Sequence, residues 1–205
     1  MKLLKCLTLS LLLSSTSAHA YLSIAESGEL LSEGKYQFGV APQFLTNRGG
    51  GTNVDVFFDT PINDSTSARI TMGGGAVDFN AFASVKWIPY PDFDNQPAIG
   101  LRVGAGLYRD EGENGLMAQV APMVSKKFPT DIGMATPYAA IALNFINSKA
   151  ENYTGSNIVF GTEFVASELR NVTFGAELGA ELSKSYSYFT FFASFPFDAS
   201  RGFGN

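Results

Sequence analysis

Histidine and cysteine are nearly absent from this chain. Its 205 residues contain one of each, Cys6 and His19, and both lie within residues 1–20. The rest of the chain therefore cannot form a Ser-His-Asp or Cys-His nucleophile, a structural zinc site, a haem-attachment motif or a disulfide framework. We expect a protein that is not an enzyme and that uses no cofactor and no metal.

The first twenty residues have the features of a secretory signal peptide. Lys2 and Lys5 precede an apolar run over residues 7–13, and small residues within 18–20 form the pattern of a cleavage site. This pattern predicts a mature chain that begins near Tyr21 and has been exported from the cytoplasm.

Charge and long apolar runs are also scarce. Only 16% of the residues are charged, and losing two lysines with the signal peptide takes the formal net charge from −5 to −7. A nucleic-acid partner is not expected, because such proteins need a basic surface. Beyond residue 20 no apolar run approaches the roughly 18 to 20 residues of a spanning helix, so helical membrane spans are excluded.

Glycine and aromatic residues are abundant, and they favour strands and turns. The chain has 21 Gly, 18 Phe and 8 Tyr. Segments with an alternation of period two, apolar on one face and small or polar on the other, recur along it. They cover residues 35–44, 53–59, 67–73, 78–88, 99–108, 116–125, 137–145, 157–166, 172–182 and 188–197.

These segments predict an all-β fold. An even number of strands of roughly ten residues, joined in sequence by short turns, is typical of a closed transmembrane barrel. We expect an antiparallel up-and-down meander of about ten strands, and eight strands would also fit the pattern.

Alternation does not show which face points inward, since a secreted soluble barrel that binds an apolar ligand also alternates. In this chain the apolar face of every strand carries large residues, drawn from Phe, Leu, Ile, Val and Trp. Together they are too bulky for a lumen of this size. The charges lie almost entirely on the face rich in Gly and Ala. We therefore expect the bulky face to contact lipid, and the soluble barrel is kept as the alternative class.

Aromatic side chains collect near the strand ends. Trp87, Tyr90, Phe93, Phe195 and Phe197 fall at one end, as in the aromatic girdle that membrane barrels place at a water interface. The opposite ends carry Phe44, Phe145, Tyr153 and Tyr186.

The signal peptide, the amphipathic strands and the aromatic closing segment 186–197 together resemble a small bacterial outer-membrane β-barrel protein of the opacity-protein and porin-like group. The resemblance implies a Gram-negative outer membrane, contact with its lipid and lipopolysaccharide, and assembly by the barrel-assembly machinery. Phe197 would be the assembly signal, although residues 198–205 follow it, whereas the family typically ends in that Phe.

The resemblance also divides the chain. It implies a signal peptide at 1–20, a short periplasmic N-terminal segment at 21–33, a barrel at 34–197 and a C-terminal tail at 198–205. The segment 21–33 has two interpretations, a short periplasmic helix or an arm that enters the lumen as a plug, and the sequence leaves both open.

Charges on the inward face are segregated. Three of the basic residues come from the third to fifth predicted strands and three glutamates come from the eighth and ninth, which lie on opposite walls of a ten-strand ring. The inward charged residues are Lys35, Asp55, Asp59, Arg69, Asp78, Lys86, Arg102, Glu163, Glu177 and Glu181. Opposed walls fit a narrow pore for small polar solutes. They also fit a structural barrel that is filled by direct Arg–Glu bridges.

One weaker motif lies between two predicted strands. The run Asp92-Phe93-Asp94-Asn95 is similar to the start of a calcium loop, but Pro97 stands where the loop needs glycine, and no bidentate Glu follows. We interpret it as a polar turn.

Overall fold

The computed structural model describes residues 22–47, 50–149 and 152–198. The predicted signal peptide and residues 199–205 of the predicted tail lie outside this range. Within it, no helix is long and apolar enough to cross a membrane. Eleven strands occur in these residues: β1 Lys35–Leu45, β2 Gly51–Asn63, β3 Thr66–Gly75, β4 Phe79–Tyr90, β5 Ala98–Asp110, β6 Glu113–Ser125, β7 Phe128–Thr130, β8 Gly133–Ser148, β9 Asn152–Ala166, β10 Thr173–Ser183 and β11 Tyr188–Asp198.

Ten of these strands form a closed antiparallel barrel. Each pairs with its neighbours in the chain, β6 pairs with β8, and β1 pairs with β11 to complete the ring. Closure leaves no free strand edge in the ring, as a chain in lipid requires. The predicted ten-strand, up-and-down barrel is confirmed.

The short strand β7 is the element that the sequence pattern misses. It pairs with the first residues of β8 and forms a small hairpin around Gly133. Three residues that include Pro129 are too few to show an alternation, so this hairpin falls inside the predicted connection 126–136. It also starts β8 at Gly133 instead of residue 137.

The two ends of the barrel are distinct. We call the end that contains Lys35 and Asp198 the terminal end, and the end that contains Leu45 and Tyr188 the far end. The connections at the far end are short, such as residues 76–78 and 111–112. Those at the terminal end include 91–97 and the hairpin of β7 and β8.

The bulky apolar face points outward. Ile70, Val103, Phe160 and Leu178 are among the exposed side chains on different strands, with Leu178 56% exposed. The inward face is polar and holds buried Asn, Gln, Ser, Arg and Glu side chains. An apolar-ligand barrel would need the reverse, so the soluble alternative is not the fold of this chain.

Inside the barrel, aromatic rings lie flat on glycines of the neighbouring strand. The partners are directly paired in register, and a Cβ on any of these glycines would overlap the facing ring. The pairs are Phe57 with Gly39, Phe82 with Gly106, Tyr108 with Gly115, Tyr138 with Gly161, Phe192 with Gly175 and Tyr188 with Gly179. The glycines of the inward face therefore make room for the large rings that fill the lumen.

A charge on the outer face tests which surface meets lipid. Val103 lies near the middle of β5 and is 41% exposed, so Val103→Arg is expected to lower the free energy of unfolding by about 2–4 kcal/mol. Phe93→Arg, in a connection at the terminal end, is the control and is expected to cost less than about 1 kcal/mol. Urea unfolding in liposomes measures both, and equal effects would contradict a lipid-facing Val103.

A single methyl group tests the packing of rings on glycine. Gly161→Ala places a Cβ where the ring of buried Tyr138 lies, and such overpacking typically costs about 1–3 kcal/mol. Ala105→Val enlarges an exposed side chain on the outer face and is expected to leave the unfolding midpoint unchanged. If Gly161→Ala is as stable as the parent, the pairing is not needed for packing.

Candidate functional site

The lumen contains a segment of the chain itself. Residues 22–34, which we call the arm, precede β1 and form no helix or strand; residues 22–30 lie inside the barrel, and Ser32 and Glu33 are exposed. Leu22 shares a buried apolar cluster with Leu45 and Tyr188 at the far end. Gly28 contacts Ser125 at the terminal end. The arm therefore runs from the far end down to the terminal end, where β1 begins.

This placement decides between the two interpretations of segment 21–33. Residues 22–30 lie within the lumen, as the interpretation as a plug predicts, whereas Ser32 and Glu33 are exposed at the terminal end. Ile24 and Ser27 are at most 1% exposed, which leaves them fully enclosed by the wall.

The arm has a kink at Ala25. This residue has a φ of 47°, in the left-handed region that residues other than glycine rarely adopt. Next to this kink, two successive N–H groups donate to one carboxylate. The distances are 2.9 Å from Ile24 N to Glu177 Oε1 and 2.7 Å from Ala25 N to Glu177 Oε2. Both oxygens of Glu177 thus bind the main chain of the arm.

The acidic wall of the lumen holds the arm through its hydrogen-bond donors. Glu177 also accepts hydrogen bonds from the hydroxyl groups of Tyr138 at 2.6 Å and Tyr188 at 2.8 Å. Glu163 accepts from Ser27 N at 2.8 Å and from Ser27 Oγ at 2.6 Å. Gly161 and Gly179 make room for the two tyrosine rings, so the glycine pairs of the wall also position this site.

The basic wall holds the same segment through its acceptors. Glu26 of the arm lies among three cations, 2.8 Å from Arg102 Nε, 3.0 Å from Lys86 Nζ and 4.0 Å from Arg69 Nη2. Lys86 Nζ donates to the carbonyl oxygens of Ser27 and Glu29 at 2.8 and 2.7 Å. Arg69 Nη1 donates to Ile24 O and Ala25 O at 3.2 and 2.9 Å. All four charged side chains are buried.

The cations are also fixed from the side of the wall. Arg69 makes two hydrogen bonds to Asp59, at 2.6 and 2.8 Å, and its guanidinium lies 3.9 Å from the centre of the Phe57 ring. Arg102 donates to Gln119, and Gln119 donates to Asn144 at 2.9 Å. The bidentate pair and the amide chain orient the two guanidinium groups toward the arm.

The predicted lumen charges can now be placed. Asp55, Arg69, Lys86, Arg102 and Glu177 are buried inside the barrel, and Glu163 contacts the arm. Glu181 lies near the far end, where it accepts a hydrogen bond from Asn47 at 2.9 Å and another from Ser185 N.

Other inward residues lie elsewhere or have other partners. Lys35 and Asp78 are exposed at the barrel ends, whereas Asp59 is buried beside Arg69. The arm lies between the basic and acidic walls and forms hydrogen bonds to both. The sequence had suggested direct Arg–Glu bridges in its place.

Several residues of the site were not among those predicted from the sequence. They are Glu26, Ser27, Tyr138 and Tyr188, and they belong to the site because the arm lies inside the barrel. One signal for the tyrosines was available, since both fall on the small-residue face, where a large polar ring needs a partner. Nothing in the sequence of the arm marks Glu26 as the partner of three cations.

The predicted aromatic girdle has members on the outer surface. Trp87, Tyr90, Phe93 and Phe195 are exposed. Phe197 pairs with Tyr36 across the seam between β11 and β1, with ring centres 5.7 Å apart. The roles of these residues at a membrane interface and in assembly remain predictions.

The motif at residues 92–95, which is similar to the start of a calcium loop, binds the side chain of Lys126. Lys126 Nζ lies 2.5 Å from Asp92 Oδ1 and 2.6 Å from Asp94 O. Asp92 Oδ2 also accepts a hydrogen bond from Lys127 N at 2.6 Å. Partial desolvation alone would raise the pKa of Asp92, but these hydrogen bonds lower that pKa below its ordinary value. An ammonium group thus binds the oxygens that suggested a cation loop.

Removing the carboxylate of Glu26 tests how the arm is held. Glu26→Gln leaves Arg102 and Lys86 buried without their anion, so the free energy of unfolding is expected to fall by about 3–5 kcal/mol. Glu29→Gln is the matched control, because Glu29 pairs with Lys127 near the surface, where such pairs contribute at most about 1 kcal/mol. Urea titration in liposomes compares them. Equal stability of the two variants would show that the cations do not hold the arm.

Proteins similar to this chain are found among solved structures. No protein-family model and no curated protein matches it. Among solved structures, it is similar to the translocator domain of the autotransporter NalP from Neisseria meningitidis, with 12% identity, 96% of this chain and 94% of that chain covered, and a TM-score of 0.45. It is also similar to Ail, the attachment invasion locus protein of Yersinia pestis, with 11% identity, 81% and 100% covered, and a TM-score of 0.30.

The classification of the chain rests on its own structure. Its ten-strand ring is closed, its outer face is apolar, and its interior is polar and filled. In lipid every backbone group must be paired within the protein, and a closed barrel with this distribution of side chains meets that condition. The chain is a small transmembrane β-barrel of the outer-membrane type.

Proposed function

We propose that this protein is a structural barrel of the bacterial outer membrane whose lumen is closed by its own arm. The observation that carries the proposal is the position of Glu26, which lies inside the barrel within 4.0 Å of Arg69, Lys86 and Arg102. A pore for polar solutes would need this space to hold water. Here main-chain and side-chain atoms of the arm occupy it.

Part of the space beside the arm stays open. A cavity of about 200 Å³ lies at the terminal end, between the wall and arm residues such as Leu30 and Leu31. Farther along the lumen, the arm and the rings of Tyr138 and Tyr188 are packed around Glu177, and these groups support a closed resting state.

The proposal includes the route to the membrane. A cleaved signal peptide exports the chain, the barrel-assembly machinery inserts it with Phe197 as the recognised residue, and the apolar face contacts lipid and lipopolysaccharide. The protein has no enzymatic role in this proposal, and its contribution is to the membrane itself.

A narrow pore is the second candidate, and the attachment of the arm favours it. The arm is joined to β1 through exposed Ser32 and Glu33, so after the proposed cleavage of the signal peptide its covalent anchor would lie at the terminal end. Withdrawal of the arm would uncover Arg69, Lys86 and Arg102 opposite Glu163 and Glu177. Small polar solutes would then pass between walls of opposite charge.

Conductance in planar bilayers tests the closed resting state. The intact protein is expected to give no steady current, whereas a variant that lacks residues 22–33 is expected to give discrete openings. The change in gel mobility on boiling in detergent verifies that each variant is folded. Steady current from the intact, folded protein would contradict the closed barrel and favour the pore.

A further inference from the structure

We propose that the lumen is a binding site for a non-helical acidic peptide, and that the arm is its resident, replaceable ligand. The inference rests on the proposed closed barrel and goes further, because it defines the chemistry that the lumen recognises. A plug that is merely packed into place would be held by side-chain shape. This segment is held mainly by its main chain.

The main-chain contacts divide between the two walls. The amide N–H groups of Ile24, Ala25 and Ser27 donate to Glu177 or Glu163, and Gly28 N donates to Ser125 Oγ at 3.1 Å. The carbonyl oxygens of Ile24, Ala25, Ser27 and Glu29 accept from Arg69 or Lys86. Anions on one wall bind the donors of a peptide, and cations on the other bind its acceptors.

This arrangement selects a chain that is not helical. In a helix the N–H and C=O groups satisfy one another, so only the terminal groups would reach the walls. A segment without helix, such as the arm with its kink at Ala25, presents free donors and acceptors along its length. The two charged walls therefore act on this segment as neighbouring strands act on a strand in a sheet, with side chains in place of a paired backbone.

The side chains of the arm add specificity at a few positions. Glu26 supplies the one carboxylate that lies among Arg69, Lys86 and Arg102. Gly28 is needed for space, since a Cβ there would lie 2.7 Å from Ser125 Oγ and 3.2 Å from the Cβ of Ala98. The site is thus expected to accept a short non-helical peptide with an acidic residue followed, two positions later, by glycine.

The arm covers the charges of the walls and pairs them. With the arm in place, Glu177, Arg69, Lys86 and Arg102 are each at most 6% exposed, and charges buried in this way need close partners. The covalent link at Gly34 raises the effective concentration of the arm and keeps the site filled. Cutting that link would turn the arm into an ordinary ligand that exchanges with peptide in solution.

The experiment cuts the link in the folded protein. A protease recognition sequence inserted between exposed Ser32 and Glu33 lets the full-length barrel fold before it is cleaved. A synthetic, isotope-labelled peptide of residues 22–31 is then added in excess, and mass spectrometry of the repurified barrel measures exchange. Two variant peptides, Glu26→Gln and the matched Glu29→Gln, are compared with it.

We expect the labelled peptide to replace the cleaved arm. Glu29→Gln is expected to bind within about threefold of the parent peptide, and Glu26→Gln at least tenfold more weakly, since it leaves buried cations unpaired. Absence of exchange at millimolar peptide would overturn the proposal. So would equal binding of the Glu26→Gln peptide, because it would show trapping without recognition.

Bilayer conductance of the same samples separates this inference from the closed-barrel proposal. The uncleaved protein should be silent, cleavage followed by washing should open it, and peptide 22–31 should close it again. Current before cleavage contradicts the closed resting state. A silent uncleaved protein whose cleaved form binds no peptide contradicts only the peptide site.

Discussion

The structure depends on one constraint, which is that charged side chains enclosed in a membrane barrel need partners within the protein. With the arm in the lumen, the basic residues on one wall and the carboxylates on the other are too deeply buried to be paired by bulk water. The arm supplies both kinds of partner at once. Its amide groups bind the carboxylates, its carbonyl groups bind the cations, and Glu26 adds one negative charge where three positive charges converge.

The inward glycines determine both how the wall packs and which side chains reach the centre of the lumen. A glycine on one strand lets an aromatic ring of the next strand lie flat against the sheet, so large residues fit inside a ring of only ten strands. At Gly161 and Gly179 the ring belongs to a tyrosine, and both hydroxyl groups reach Glu177. Substitutions at these two glycines would therefore disturb the packing of the wall. They would also move the tyrosines that hydrogen-bond to Glu177, the carboxylate that binds the arm at Ala25.

Most of the barrel could be predicted because its signals are local. Alternation within each strand, the lack of charge on the bulky face and the short connections between strands predict the closed meander. They also predict which face of each strand points outward. The β7–β8 hairpin was missed, since three residues cannot establish a period. The site was only half predictable: Arg69, Lys86, Arg102, Glu163 and Glu177 follow from the register of the strands, but their partner does not.

The sequence by itself determined which side chains face lipid and which face inward, because a strand assigns alternate residues to its two faces whatever surrounds it. Only the tertiary structure decided what fills the interior. Ile24 and Glu177 are 153 positions apart in the chain, and they meet because closure of β1 on β11 encloses the segment that precedes β1. No local pattern in the sequence indicates that contact, because the two residues come together only when the opposed walls have formed around the arm.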